Sequence, residues 1–246
     1  MRKVIIAVLF SLMPLVSVAS EGNLHLDKAN IDLNNKEALQ RGAQFFVNYC
    51  MGCHSTKYMR WNRVGRDLGL TDKQVKDNLV FTGAKVTQYM KNAMPEEEAS
   101  KWFGTAPPDL TLVARSRGVD WLYTYLRTFY LDPTRPTGVN NMVFHNVGMP
   151  DVMWQLQGWQ APVYKTVIGE DGKKEQVIDH LELVKPGKLT PVEYDQHVRD
   201  LVTFLAYMGE PVKLERQHLG VWVLLFLAVL FVVTYLLKKE YWKDVH

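Results

Sequence analysis

Tyr49-Cys50-Met51-Gly52-Cys53-His54 is the stretch on which the reading of this chain turns. Two thiols three positions apart at the start of a helix can each reach one vinyl group of a single porphyrin. The next residue then sets its imidazole below the iron. Cys-x-x-Cys-His is therefore the attachment signature of a c-type haem, with Cys50 and Cys53 as anchors and His54 as the proximal ligand. The chain has 2 cysteines, both used here, which excludes a small scaffold held by several disulfides. Two other chemistries use such a pair. A thioredoxin-type dithiol wants a strand before it and a helix after it, whereas here a helical pattern comes before it. Half a zinc site wants further ligands, but there is no second cysteine pair and the histidines are scattered.

Upstream of the motif, residues 35–49 repeat Leu39, Ala43, Phe46, Val47 and Cys50 at helical spacing, with Asn34 and Glu37 as a possible capping box. Residues 71–79 read as a short polar helix capped by Thr71. Residues 120–130 put Leu122, Tyr125, Leu126 and Phe129 on one face, with Asp132-Pro133 as the stop. The clearest local signal is 190–208. Thr190 suits the cap, Pro191 the first turn and Glu193 the capping-box position. Tyr194, Val198, Leu201, Val202, Leu205 and Met208 form its stripe, and Gly209 with Pro211 close it. Residues 132–162, rich in Pro, Gly, Asn and Trp, read mostly as loop. Residues 163–168 and 176–184 can pair as a hairpin across Gly169-Glu170-Asp171-Gly172. The expected fold is mainly α: a c-type cytochrome domain with long loop insertions and a small β-hairpin, plus one C-terminal transmembrane helix. Loops of such length usually wrap around something or carry function.

The two ends are very apolar. Residues 1–19 read as a signal peptide: Arg2 and Lys3, an apolar run from Val4 to Val16, and a Ser17-Val18-Ala19 cleavage site. Residues 219–237 carry no charge and, as a helix, rise about 28 Å, close to the hydrocarbon thickness. Trp222 and Tyr235 lie near the ends of that run, and Lys238 and Lys239 follow it, which puts the C-terminus on the cytoplasmic side. The expected layout is a signal peptide (1–19), a periplasmic haem domain (20–212), an anchor with its lead-in (213–237) and a short cytoplasmic tail (238–246) on a bacterial inner membrane. The chain of 246 residues has 29 basic and 26 acidic residues, a net charge of +3. Both ends are basic, so the stretch 20–210 carries about −1, and a nucleic-acid partner loses its electrostatic support. Apolar residues at 47% and charged ones at 22% exclude a disordered chain.

An electron-carrying haem iron needs a sixth ligand. Met149, in Asn146-Val147-Gly148-Met149-Pro150, is the leading candidate, because Gly and Pro can hold a loop against the haem face. A thioether there favours ferrous iron and raises the potential. On spacing alone Met142, Met153, His145 and Met208 remain open, and an open sixth position would make the chain a haem enzyme such as a peroxidase.

Together these residues resemble the cytochrome c1 family, the haem-bearing subunit of ubiquinol:cytochrome c oxidoreductase, in its shorter bacterial form. The matching features are Cys-x-x-Cys-His, Pro107-Pro108-Asp109-Leu110 followed by Ala114-Arg115-Ser116-Arg117, the Gly148-Met149-Pro150 loop and the single C-terminal span. The resemblance implies Met149 as the sixth ligand, with His54 and Met149 holding the iron of one covalent haem c. It implies that Arg115 pairs with a haem propionate and that Pro108 packs near the haem. It also implies an electron-transfer subunit, no enzyme on its own, that passes electrons from a Rieske iron–sulfur protein to a cytochrome c. Its partners would be cytochrome b, the Rieske subunit and membrane lipid, in a dimeric complex. A membrane-anchored mono-haem cytochrome of a terminal oxidase or nitric oxide reductase would share most of these features. Glu96-Glu97-Glu98 reads as a helix start behind Pro95, with docking of a basic cytochrome c as its functional alternative.

Overall fold

The computed structural model describes residues 25–168 and 173–244. The signal peptide expected over 1–19 and the hairpin tip at 169–172 lie outside the described residues. Helix α1 (Lys36–Tyr49) is capped by Asn35, whose side chain accepts from the Ala38 amide at 2.9 Å. Asn34, the cap expected from the sequence, gives its amide to Asp32 Oδ1 instead. A nearer acceptor two residues back outcompetes the helix. Strand β1 (Thr56–Arg60) follows, then α2 (Trp61–Leu68) and α3 (Asp72–Asn78), which carries a Thr71/Gln74 capping box. Strand β2 (Tyr89–Met90) pairs antiparallel with β1. Helix α4 (Glu96–Phe103) begins after Pro95 with Glu96, Glu97 and Glu98 in its first turn, where acids suit the helix dipole.

Helices α5 (Val113–Ser116) and α6 (Val119–Arg127) come next. Helix α6 stops before the expected Asp132-Pro133, because residues from Phe129 join a two-stranded ladder of β3 (Phe129–Leu131) with β4 (Val139–Asn141). Asp132 closes the turn of that ladder, accepting from Thr134 and Asn140. The region 132–162 is thus less irregular than its composition suggests. It contains β4, the short helix α7 (Trp154–Gln157) and the start of β5 (Gly158–Ile168). Strand β5 pairs with β6 (Lys174–Pro186) from Gly158↔Pro186 to Ile168↔Lys174, a longer hairpin than expected. Gly158 permits its base: φ is 97°, and a Cβ there would lie 2.2 Å from the Lys185 carbonyl oxygen.

Helix α8 (Pro191–Gly209) is the spine. Its Thr190/Glu193 capping box forms as the sequence predicts. The stripe Tyr194, Val198, Leu201, Val202, Leu205 and Met208 is buried, none of it more than 2% exposed. Helix α1 packs on α8 at very short range. The Phe46 and Phe204 ring centroids are 5.8 Å apart, and Arg41 Nε meets the buried Asp200 carboxylate at 2.6 Å. Gly42 is what lets the backbones approach, since a Cβ there would sit 2.1 Å from the Asp200 carbonyl oxygen. Gly42→Ala is expected to cost about 2 kcal/mol or more, because helix backbone cannot yield as a flexible side chain can. It should also displace the Cys50 turn at the end of α1. A thermal melt and the haem content of the purified variant check both effects.

Arg127 ties α6 to its surroundings. Its guanidinium bonds Asp195 on α8 and Asp27 of the N-terminal segment and lies 4.5 Å from the centroid of Tyr123. Its carbonyl accepts from Gln157 and Gln160, which fastens the start of the hairpin to α6. Last, helix α9 (Lys213–Tyr241) contains the uncharged run 219–237. Among the described residues it is the one helix long and apolar enough to cross a membrane, with a mean hydropathy of 2.7 over its apolar window and 0% of that window buried. An apolar face exposed on all sides needs lipid or a partner around it.

Candidate haem-binding site

The motif forms the tight turn that ends α1. It does not start a helix as expected. Cys50 is the C-cap, its amide still bonded to the Phe46 carbonyl. The Cys50 carbonyl accepts from the Cys53 amide at 3.1 Å and the His54 amide at 2.8 Å. Phe46 packs the last turns of α1 against Phe204 of α8, and both cysteines sit in the turn that follows. Asn92 clamps the turn from outside. Its side-chain amide donates to the Cys53 carbonyl at 2.6 Å, and its backbone amide donates to Ser55 Oγ at 3.0 Å.

A second segment, Pro107–Thr111, is stitched along the residues after the motif. The Leu110 amide donates to the Ser55 carbonyl, and the Asp109 carboxylate accepts from the Lys57 and Thr111 amides and the Thr111 hydroxyl. Thr111 Oγ1 in turn lies 3.4 Å from the Tyr58 amide. The stitching puts the Pro108 carbonyl 2.8 Å from His54 Nδ1. A carbonyl can only accept, so Nδ1 carries the proton and Nε2 keeps the lone pair, the arrangement a metal-bound histidine needs. Burial, the largest influence, lowers the pKa of His54, against the Pro108 bond and the Asp109 charge. The ring is therefore held neutral and ready to coordinate.

Cys50 and Cys53 form no disulfide with each other. Burial pushes the Cys50 thiol up to about 12, and the neighbouring Cys53 adds to the rise. A redox dithiol works through a depressed thiol, so this environment opposes exchange chemistry. Among the described residues no three His, Cys, Asp or Glu side chains cluster to hold a metal, and the pair lacks the company that structural zinc requires.

The methionines separate by environment. Met153 and Met208 are core, each 1% exposed. His145 is exposed and Met142 half-buried. Met149 is half-buried against the core, and its sulfur accepts from the Tyr125 hydroxyl at 3.4 Å. Asparagines hold its loop. Asn141 Oδ1 accepts the Val143 and Phe144 amides, and Asn140 Oδ1 accepts the Asn146 amide. Arg135 bonds both the side chain and the carbonyl of Asn146, which has a positive φ of 60°. Asp151, two residues past Met149, is buried, and desolvation raises its carboxyl to about 6. The pKa of the Tyr194 hydroxyl on α8 is raised chiefly by burial, with the charges of Asp151 and Cys50 adding to the rise.

Pro108 meets His54 through its backbone carbonyl, a contact the sequence does not announce. Arg115 is exposed; its side-chain stem packs on Gly209 and its charge helps hold down the Glu210 carboxyl, behind Arg216. Arg117, to which the sequence reading gave no role, sits 5.3 Å from the Trp121 centroid and 5.9 Å from that of Phe144. Trp121 stacks on Tyr125 at 4.9 Å, and Tyr125 reaches Met149. The spacing of four through 117, 121 and 125 was the available signal. Among the described residues, Thr56 Oγ1 and Trp61 Nε1 are buried with no hydrogen-bond partner, both just past the motif. Such groups ask for a polar partner from a bound molecule. The donor set, the histidine tautomer and these orphans all fit a haem.

A Cys-x-x-Cys-His turn, a carbonyl-oriented histidine and a thioether loop on a helical body with one C-terminal apolar helix define a c-type cytochrome carried on a membrane anchor. The chain matches the cytochrome C1 family over residues 28–245 and belongs to it. It is 53% identical over 246 residues, the full length of both chains, to cytochrome c1 of Allochromatium vinosum. It is 47% identical over 235 residues to the ammonia monooxygenase gamma subunit of Nitrosomonas europaea, covering 96% of this chain and 95% of that one. A cytochrome b/c1 of Bradyrhizobium diazoefficiens is 26% identical over 246 residues, covering 86% of this chain and 34% of the longer one. The chain is accordingly a haem-bearing, membrane-anchored electron-transfer subunit of the cytochrome bc1 type.

Proposed function

We propose that this chain relays single electrons from a Rieske iron–sulfur protein to a cytochrome c. Cys50 and Cys53 hold one haem c by thioether bonds, and His54 Nε2 and Met149 Sδ are its iron ligands. The observation that supports the reading is the 2.8 Å bond from His54 Nδ1 to the Pro108 carbonyl, which leaves the lone pair of the other ring nitrogen free for a metal. Bound haem supplies a one-electron iron couple. The chain's own residues do the rest. Pro108 and Asp109 fix the imidazole, Tyr125 and the asparagine-held loop fix the thioether, and both ligands stay in place through both charge states. Arg115 pairs with a propionate, and Arg117 on the aromatic row offers a second cation of suitable geometry. Residues 20–212 form the periplasmic domain, 213–237 the anchor with its lead-in and 238–246 the cytoplasmic tail, behind the signal peptide 1–19. Cytochrome b and the Rieske protein are its partners in a dimeric complex bathed in lipid, and the name of the Bradyrhizobium relative supports the first of these.

Mild detergent extraction tests the assembly. A haem-staining band of this chain should copurify with cytochrome b and a Rieske protein. Copurification with the subunits of a monooxygenase, a terminal oxidase or a nitric oxide reductase would replace the reading. A band that fails to stain for haem would remove it.

A further inference from the structure

We propose that the haem domain holds the phosphate of an anionic phospholipid in a cavity lined by Arg60, Arg63 and Arg66, beside the root of the membrane anchor. The inference rests on α9 spanning the bilayer and is independent of the haem ligands. The three arginines recur at every third residue. Arg60 caps the start of α2, and Arg63 and Arg66 lie on the helix, so all three share one face. The other face carries the buried Trp61, Val64, Gly65 and Leu68. The arginines line a cavity of about 430 Å³ together with Tyr58, Tyr89 and Pro211. Arg60 is positioned by the Thr87 carbonyl and the Tyr89 hydroxyl, with its guanidinium 4.2 Å from the Tyr89 centroid. Arg63 gives Nε to Asp67, and the Tyr207 hydroxyl donates to the same carboxylate at 2.8 Å, which fixes this wall of the cavity to the last turns of α8. Arg66 approaches Asp67 only through Nε, at 3.7 Å. Among the described residues the terminal nitrogens of Arg63 and Arg66 meet no acceptor. Asp67 and Glu215 are the acids that act on Arg63, so the cavity keeps an excess of positive charge. Guanidinium forks that are always charged match the geometry of a phosphate.

The position of the cavity favours a lipid as the source of that phosphate. Pro211 lies two residues before α9, whose uncharged run begins at Leu219. The stretch from Lys213 to Leu219 rises about 9 Å as a helix, against a headgroup layer roughly 5–8 Å deep on each side of the hydrocarbon. The cavity wall at Pro211 therefore stands just above the lipid phosphates, within reach of long arginine side chains. Tyr58 and Tyr89, both exposed, add the amphipathic rings that favour this layer. A bound headgroup gives the haem domain a second attachment beside its covalent one, and so restrains its swing about the joint between α8 and α9.

The test uses the haem-loaded full-length chain, extracted with whatever subunits accompany it, in phosphatidylcholine vesicles doped with a phosphatidylglycerol that is photoactivatable near its headgroup. Label is expected on peptides containing Tyr58, Met59 or Tyr89. Arg60→Gln/Arg66→Gln should weaken it roughly five-fold for each arginine lost, the worth of one basic residue at an anionic membrane surface. Arg63 is left in place because Asp67 and Tyr207 bond with it as a unit. Should the double variant not fold, Arg66→Gln decides alone, since that side chain is 74% exposed. Lys238→Gln/Lys239→Gln, at the other end of the anchor, should leave the label unchanged. Label confined to other peptides, label that survives loss of the arginines, or label that falls only with the two lysines overturns the proposal. Displacement of the lipid by millimolar inorganic phosphate would give the cavity to a free anion and overturns it equally.

Discussion

Met149→Leu is expected to lower the reduction potential by on the order of 0.1 V or more, because a thioether stabilises ferrous iron and the axial ligand is a main determinant of haem potential. Leucine nearly conserves the volume, so the half-buried loop, held by Asn140, Asn141 and Arg135, should keep its shape. Reduced iron should then take carbon monoxide tightly, and the unmodified protein should not. Potentiometric titration and a carbon monoxide difference spectrum read both effects. Met142→Leu is the control and should move neither. A Met149→Leu protein with an unaltered potential and closed to carbon monoxide would eliminate this residue as the ligand.

The second large effect is His54→Ala. Removing an oriented metal-binding imidazole should cost more than the roughly 100-fold that loss of an outer partner costs, and low-spin haem should vanish. Much of the domain's order should go with it. The motif and the Pro107–Thr111 segment are bonded to each other, and a tightly held ligand adds stability to the state that binds it. Visible spectra, haem staining and protease resistance of the membrane fraction measure this. A His54→Ala protein with an ordinary low-spin spectrum would contradict the proximal role.

Local chemistry explains which parts of the fold were readable. The α8 cap at Thr190/Glu193 and the α3 cap at Thr71 are reciprocal bonds between residues three apart, so their geometry is written in the spacing. The α8 stripe has the helical period, and every residue of it is buried. The Asn34 cap failed because Asp32 offered Asn34 another partner. The expected end of α6 failed because Phe129–Leu131 found a strand partner ten residues on. The hairpin was recognised but undersized, since its base depends on the approach of Gly158 to Lys185.

The site divides in the same way. Cys50, Cys53 and His54 are chemically distinctive residues at a distinctive spacing and can be picked out one by one, whereas Met149 leads Met142, Met153, His145 and Met208 only through the family resemblance. Asp109, Asn92, Tyr125 and Arg117 are ordinary residue types. The roles of Asn92 and Asp109 appear only when segments 39 and 52 residues apart are laid side by side: Asn92 on Cys53, and Asp109 on Lys57. Tyr125 and Met149, 24 apart, meet through a loop that only Asn141 registers.

From its letters alone, then, this protein is a helical haem carrier with a membrane tail, because thiol spacing, helical period and an uncharged apolar run are short-range properties of a chain. The folded molecule decided which ring nitrogen of His54 is free, which sulfur lies within a phenol's reach and where α1 ends. Each of these turns on a backbone carbonyl, a neighbouring aromatic ring or a close helix crossing, and those meet only once distant segments have packed.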